Sequence, residues 1–311
     1  MRQKGAAGFG LTHWRTVART FSLISALTGA LACSWVPSAR AELDDLRFRG
    51  TVDRTWDDNV SRAEGVDKFE DWFTGINVNA SLPWQIGERT RLVLNANAGG
   101  EIFDEFKGLD RTYANLQGEF QFRGSGEFGA PIWGVFLRQG ADWYKSTLRD
   151  GYRGSFGLSV RKPWTDRIFV FGALASNLRD GRSKVFDTEE ISLRGNLDYS
   201  LPARQTVYLG LELRKGDIVS TARPELKYFD IADALILDDV FTDTTRFSYR
   251  LKALTTLFTL GYNVGLGERA SVDLAYRYVY STPDEQPPSN VSPDKIYYVD
   301  NQIMASLLLR F

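Results

Sequence analysis

The chain has 311 residues, 43% hydrophobic and 13% aromatic, with a formal net charge of −1 and a single Cys and a single His. A near-neutral balance argues against a nucleic-acid binder, and one cysteine excludes a disulfide framework. No apolar run reaches the length of a spanning helix, so any membrane-crossing reading has to be a barrel, in which all backbone groups pair between strands.

Residues 1–20 carry Arg2, Lys4, Arg15 and Arg19 and no acid, and Phe21–Leu31 is a short apolar run. Ala39-Arg40-Ala41 then forms a small-x-small cleavage site. This order predicts a secretory signal peptide over 1–41, with the mature chain over 42–311. Lipidation at Cys33 is a weaker reading, because the place three before it holds Ala30 rather than Leu. Removing 41 of the 311 residues leaves 270, and the 38 Lys+Arg lose the five leader bases while the 39 Asp+Glu lose none, for a net charge near −6. Cys33 and His13 both leave with the leader.

The rest of the chain alternates with period two, the strand signal. The first strand is Leu46–Trp56, followed by the polar loop DDNVSRAEGVDK. The second is Phe69–Trp84, the third Thr90–Phe103, the fourth Arg111–Arg123. Ile132–Trp143, Tyr152–Lys162, Arg167–Leu178, Thr188–Leu201 and Thr206–Lys215 follow. The longest connection, Gly216–Thr244, precedes the tenth strand, Thr245–Val264. There the apolar parity switches between Ala253 and Leu254, which predicts a one-residue bulge. Ala270–Tyr280 and the closing segment Tyr297–Phe311 complete twelve strands. Connections after even strands are short and those after odd strands longer, the barrel pattern. Tryptophans sit at two levels: Trp84, Trp133 and Trp164 near the short turns, Trp56, Trp72 and Trp143 near the long loops. These resemble two interfacial girdles.

In the closing segment Ile303, Ala305, Leu307, Leu309 and Phe311 share one face, and the chain ends on a bare aromatic. This ending resembles the C-terminal signature of Gram-negative outer-membrane β-barrels of the porin-like kind. Their last strand ends in Phe at the periplasmic rim. The stretch Asp57-Asp58-Asn59-Val60 likewise resembles the first loop of several such barrels. The expected fold is therefore all-β: a single antiparallel transmembrane barrel of about 12 strands behind a cleaved signal peptide. A secreted β-sandwich alternates in the same way, but it leaves the ending, the turn asymmetry and the Trp levels unexplained. The resemblance implies the bacterial outer membrane as compartment, with lipid, lipopolysaccharide and the barrel-assembly machinery as partners. It also implies that Phe311, Leu309 and Leu307 act as a membrane-insertion signal.

With no His after Ala41, Ser-His and Asp-His mechanisms are not available, and His or Cys metal sites are excluded. No enzyme, cofactor or metal site is expected. If apolar faces meet lipid, the opposite face carries thirteen bases against six acids, from Arg47 round to Arg310. Arg47, Arg49, Arg138, Arg153, Arg194, Arg214, Lys252 and Arg277 are the expected pore lining. Rings of Arg and Lys favour anions. The expected function is passive passage of small anionic solutes. The alternative is a closed structural or interaction barrel, for example an accessory to polysaccharide or protein export, in which the arginines only pair with lumen acids. The connection Gly216–Thr244 holds the apolar stretch Ile231–Leu237 among seven acids. It is read as a loop that constricts the lumen, caps the mouth, or is simply solvated. Its acids do not follow the spacing of a Ca²⁺ loop.

Overall fold

The computed structural model describes residues 42–43, 46–241 and 245–311; the expected signal peptide lies outside them. Twelve strands carry the fold: β1 (Arg47–Asp57), β2 (Asp71–Gly87), β3 (Thr90–Phe103), β4 (Arg111–Arg123), β5 (Ile132–Tyr144) and β6 (Gly151–Pro163). They continue with β7 (Ile168–Gly181), β8 (Thr188–Leu201), β9 (Gln205–Ala222), β10 (Phe247–Gly265), β11 (Ala270–Pro283) and β12 (Tyr298–Arg310). Each pairs antiparallel with its chain neighbour, and β12 closes on β1 from Gln302↔Asp57 to Arg310↔Arg49. Closure removes both sheet edges. A two-residue strand, Glu42–Leu43, also pairs with β2. Among the described residues no helix is long and apolar enough to cross a membrane.

The registers set the bore. Pairing carries Arg47 to Ser81, Asn95, Gln117 and Arg138, then to Ser155, Asn177, Glu190, Gly216 and Ala253. Continuing round, the path rejoins the first strand about 16 residues further on, the shear of the barrel. With about 3.3 Å per residue and 4.8 Å between strands, that shear tilts the strands by roughly 40° and gives a backbone radius of about 12 Å. Inward side chains of ordinary length then leave a gap between facing walls.

Outside and inside are inverted relative to a soluble protein. Ile76, Val78, Leu116, Leu158, Leu174, Leu193, Leu274 and Ile303 are all exposed on the outer surface. A belt of this kind suits a hydrocarbon surround, as on the outer face of a transmembrane barrel. Trp133 and Trp164 near the short turns and Trp72 and Trp143 near the long loops are exposed at its two margins. The clusters of buried apolar residues lie at the loop end. One joins Ala63, Ala222, Tyr228, Tyr249, Leu251 and Ile296, and the other Phe106, Val240 and Phe241.

Two expectations are corrected. β10 contains no bulge: its register with β9 and β11 is unbroken. Thr255 and Leu257 line the lumen, and Ala253, Leu251 and Tyr249 continue that face beyond the rim, 0–2% exposed. They are apolar because the outer loops cover them. Lys252 and Arg250 therefore do not line the pore. The Lys252 side chain is 63% exposed, 3.5 Å from Asp217, and Arg250 donates to the carbonyls of Lys184 and Asp187. β9 also runs seven residues past its expected end, to Ala222. The extension starts at Gly216, whose φ of +149° suits glycine, and where a Cβ would clash with the Glu189 carbonyl.

Candidate functional site

The outer loops are 58–70 (loop 1), 104–110 (loop 2), 145–150 (loop 3), 182–187 (loop 4), 223–246 (loop 5) and 284–297 (loop 6). Loop 5 leaves the ring between β9 and β10. It first makes a short helical turn, Leu226–Phe229, then a strand, Ala234–Leu237, that pairs with β10. Beyond it, Phe241 stacks on Phe69 of loop 1 at 5.3 Å and tilts against Phe106 of loop 2 at 4.9 Å. Loop 2 sits between β3 and β4, six strands round a ring of twelve. Loops 5, 1 and 2 therefore meet over the mouth, with the segment 238–241 between them.

Buried ion pairs fasten this strap. Arg149 of loop 3 donates to Asp238 at 2.5 Å, with side chains 8% and 0% exposed, and reaches Asp239 at 3.4 Å. The hydroxyls of Thr221 and Ser248 and the Val240 N–H also donate to Asp238. Burial alone would raise the Asp238 pKa, but Arg149 and these donors outweigh it and hold the carboxyl below its usual value. On the other flank Asp67 of loop 1 is paired by Arg246 and, at 3.1 Å, by Arg223.

Beneath the strap lies a cavity of about 770 Å³ whose wall holds ten arginines, eight carboxylates and no lysine. Alternation aims the members on the strands below inward, while Arg62 and Arg149 reach the wall from loops 1 and 3 and Asp217 from the β9 extension. Several arginines are matched: Arg161 is bidentate on Glu119 at 2.6 and 3.1 Å, Arg153 meets Asp142 at 2.7 Å, and Arg214 meets Glu212 at 2.8 Å. Arg111 pairs with Glu101. Arg138, Arg179, Arg194 and Arg277 have no carboxylate within 4.0 Å among the described residues. Arg138 donates to the Gln117 amide oxygen at 2.8 and 2.6 Å, and Arg277 to Gln302 at 3.4 Å. Among the described residues the Arg194 guanidinium has no hydrogen-bond acceptor; it lies 5.4 Å over the Phe171 ring, which also carries Arg161 at 5.3 Å. Arg111 and Arg179 flank Tyr144 at 5.8 and 5.6 Å. A ring face holds a guanidinium without using its N–H donors. The donors stay available to a solute oxyanion, with bidentate geometry.

Of the expected pore residues, Arg138, Arg153, Arg194, Arg214 and Arg277 line this cavity. Arg47 and Arg49 lie at the opposite end of the barrel, exposed, near the end of β12. Sequence reasoning missed Arg111, Arg179, Glu101 and Glu190, although continuing the inward parity to the strand ends would have found them. It also missed Arg62 and Arg149, which sit in loops where no periodicity applies. At the cavity the basic excess is ten to eight, smaller than the whole inward face suggested. Phe311 is 76% exposed and exchanges backbone hydrogen bonds with Phe48.

No protein-family model matches the chain, and no curated protein matches its sequence. Its structure is similar to that of an outer membrane channel from Pseudomonas putida F1, at TM-score 0.51 and 12% identity over 88% of this chain and 99% of that one. It is also similar to the KdgM porin in complex with disordered oligogalacturonate, at TM-score 0.42 and 11% identity over 85% of this chain and 99% of that one. The NanC porin stands at TM-score 0.41 and 11% identity over the same shares of the two chains. The first of these likenesses shows the fold, a closed antiparallel β-barrel.

Proposed function

We propose that the chain, delivered by its leader to the outer membrane of a Gram-negative bacterium, is a channel for small anionic solutes, and that the strap of loop 5 controls its outer mouth. The observation that carries this is Arg194, a guanidinium in the cavity wall with no carboxylate and no protein acceptor among the described residues, beside Arg138, whose partner is a neutral amide. An arginine that served only to fill a closed barrel would be expected to find an acid, as Arg161 and Arg153 do. Guanidinium donors that no carboxylate occupies favour carboxylate or phosphate groups over cations.

The test is reconstitution into planar bilayers under a salt gradient. The expected result is a reversal potential of anion-selective sign, reduced when Arg138→Gln and Arg194→Gln are combined. A cation-selective potential, or a selectivity unmoved by the double change, defeats the anion reading. The strap favours a second reading, a barrel closed permanently as an interaction component. Absence of conductance in both the wild type and a strap-released variant would select it. Under either reading Phe311, Leu309 and Leu307 are the address for the assembly machinery, checked by the loss of folded protein from membranes on deleting Phe311.

A further inference from the structure

At the outer end of the closing seam, Asp57 and Asp58 of β1 and its loop face Asp300 of β12. One carboxylate oxygen from each lies within 4.8 Å of the others. Asp57 is 8% exposed and Asp300 4%. Their hydrogen bonds do not neutralise them. Asp57 accepts from the Asn59 N–H at 2.8 Å, and the Gln302 amide donates to both Asp57 and Asp300 at 3.0 Å. Asp58 accepts twice from Asn301 and has Lys68 at 3.5 Å. Among the described residues, neither Asp57 nor Asp300 has a cation within 4.0 Å. The Asp300 Oδ1 atom is buried and accepts no hydrogen bond at all. A buried acceptor of that kind is costly unless something positive reaches it.

We propose that Asp57, Asp58 and Asp300 form a divalent-cation site, of Ca²⁺ class, that fastens the β1–β12 seam at the outer rim. Three hard oxygens and no nitrogen or sulfur select Ca²⁺ or Mg²⁺. Tolerance of geometry separates these two: Ca²⁺ accepts oxygens at 2.3–2.6 Å in irregular arrangements, whereas Mg²⁺ demands a near-ideal octahedron at 2.0–2.1 Å. Three carboxylate oxygens within 4.8 Å of one another, on two strands and a loop, suit the more tolerant ion. Asn59 donates to the carbonyls of Val299 and Ala63 beside the site, so loop 1 is tied to the same seam. Loop 1 is where loop 5 docks, through Asp67 and Phe69.

The experiment is calorimetric titration of CaCl₂ into the chelator-stripped, full-length barrel, refolded in detergent free of lipopolysaccharide. Saturable binding of one ion per chain is expected, with a Kd of about 10⁻⁴ M, weakened at least tenfold by Asp300→Asn, and with Mg²⁺ weaker than Ca²⁺. Asp58→Asn, at the less buried member, gives the same readout if Asp300→Asn does not fold. Wild-type protein showing no saturable Ca²⁺ binding overturns the proposal, as does a binding isotherm unchanged in the folded variants. A raised melting temperature in Asp300→Asn, with no Ca²⁺ response in the wild type, overturns it in favour of a proton shared between Asp57 and Asp300.

Discussion

The strongest lever on the strap is Asp238→Asn. The carboxylate it replaces is buried, and it accepts from Arg149, Thr221, Ser248 and the Val240 N–H. Asparagine is nearly isosteric and can keep one or two of these bonds, but it leaves Arg149, 6% exposed, without its buried counter-charge. Asp239 at 3.4 Å compensates only in part, because its side chain is 48% exposed. Removing one partner of a buried pair costs about 3–5 kcal/mol. Taking the lower end, the docked-to-released equilibrium shifts by roughly two powers of ten. The assay is single-channel recording: the fraction of time closed should fall sharply, and a protease acting from outside should cut loop 5 faster. The pH dependence has a defined sign. The docked Asp238 pKa is depressed, so the pair stabilises docking fully above the ordinary Asp value and loses that contribution only as pH falls through the lowered one. Wild-type gating should therefore be flat from neutrality down to about pH 4 and approach that of the variant only below it. A folded Asp238→Asn barrel with unchanged closed time and unchanged protease resistance refutes the assignment of loop 5 as the gate.

Three further outcomes follow from the same geometry. Lys252→Gln should leave ion selectivity unchanged in bilayer recordings, since its side chain is 63% exposed and does not line the cavity. Leu251→Ala removes a side chain 2% exposed in the cluster with Tyr228 and Ile296; it should loosen loop 5 by about 2–4 kcal/mol, read as faster proteolysis with the barrel still folded. Gly216→Val should disrupt the start of the β9 extension, where the positive φ and the Glu189 carbonyl leave no room for a Cβ. It should release the strap in single-channel recordings without altering refolding of the strands below.

Alternation by itself determined the barrel. A strand side chain has only two directions, so Leu193, Arg194 and Leu197 already declare which face meets lipid and which meets the lumen. Turn lengths and the apolar closing strand supplied the count of twelve and the seam. The same local rule failed at Tyr249, Leu251 and Ala253. They face inward, yet they are apolar because loops distant in sequence cover them, and period two cannot distinguish lipid from a loop as the burying partner. That error carried Lys252 into the expected lining. Arg149, Asp238 and Phe241 belong to loops, where no repeat constrains direction, and Asp57 meets Asp300 only because the barrel closes. Those pairings are separated by 89 and 243 residues, and ring geometry alone brings them together. The wall of the barrel was legible in the chain, while its mouth and the meeting of carboxylates at its seam were decided by tertiary structure.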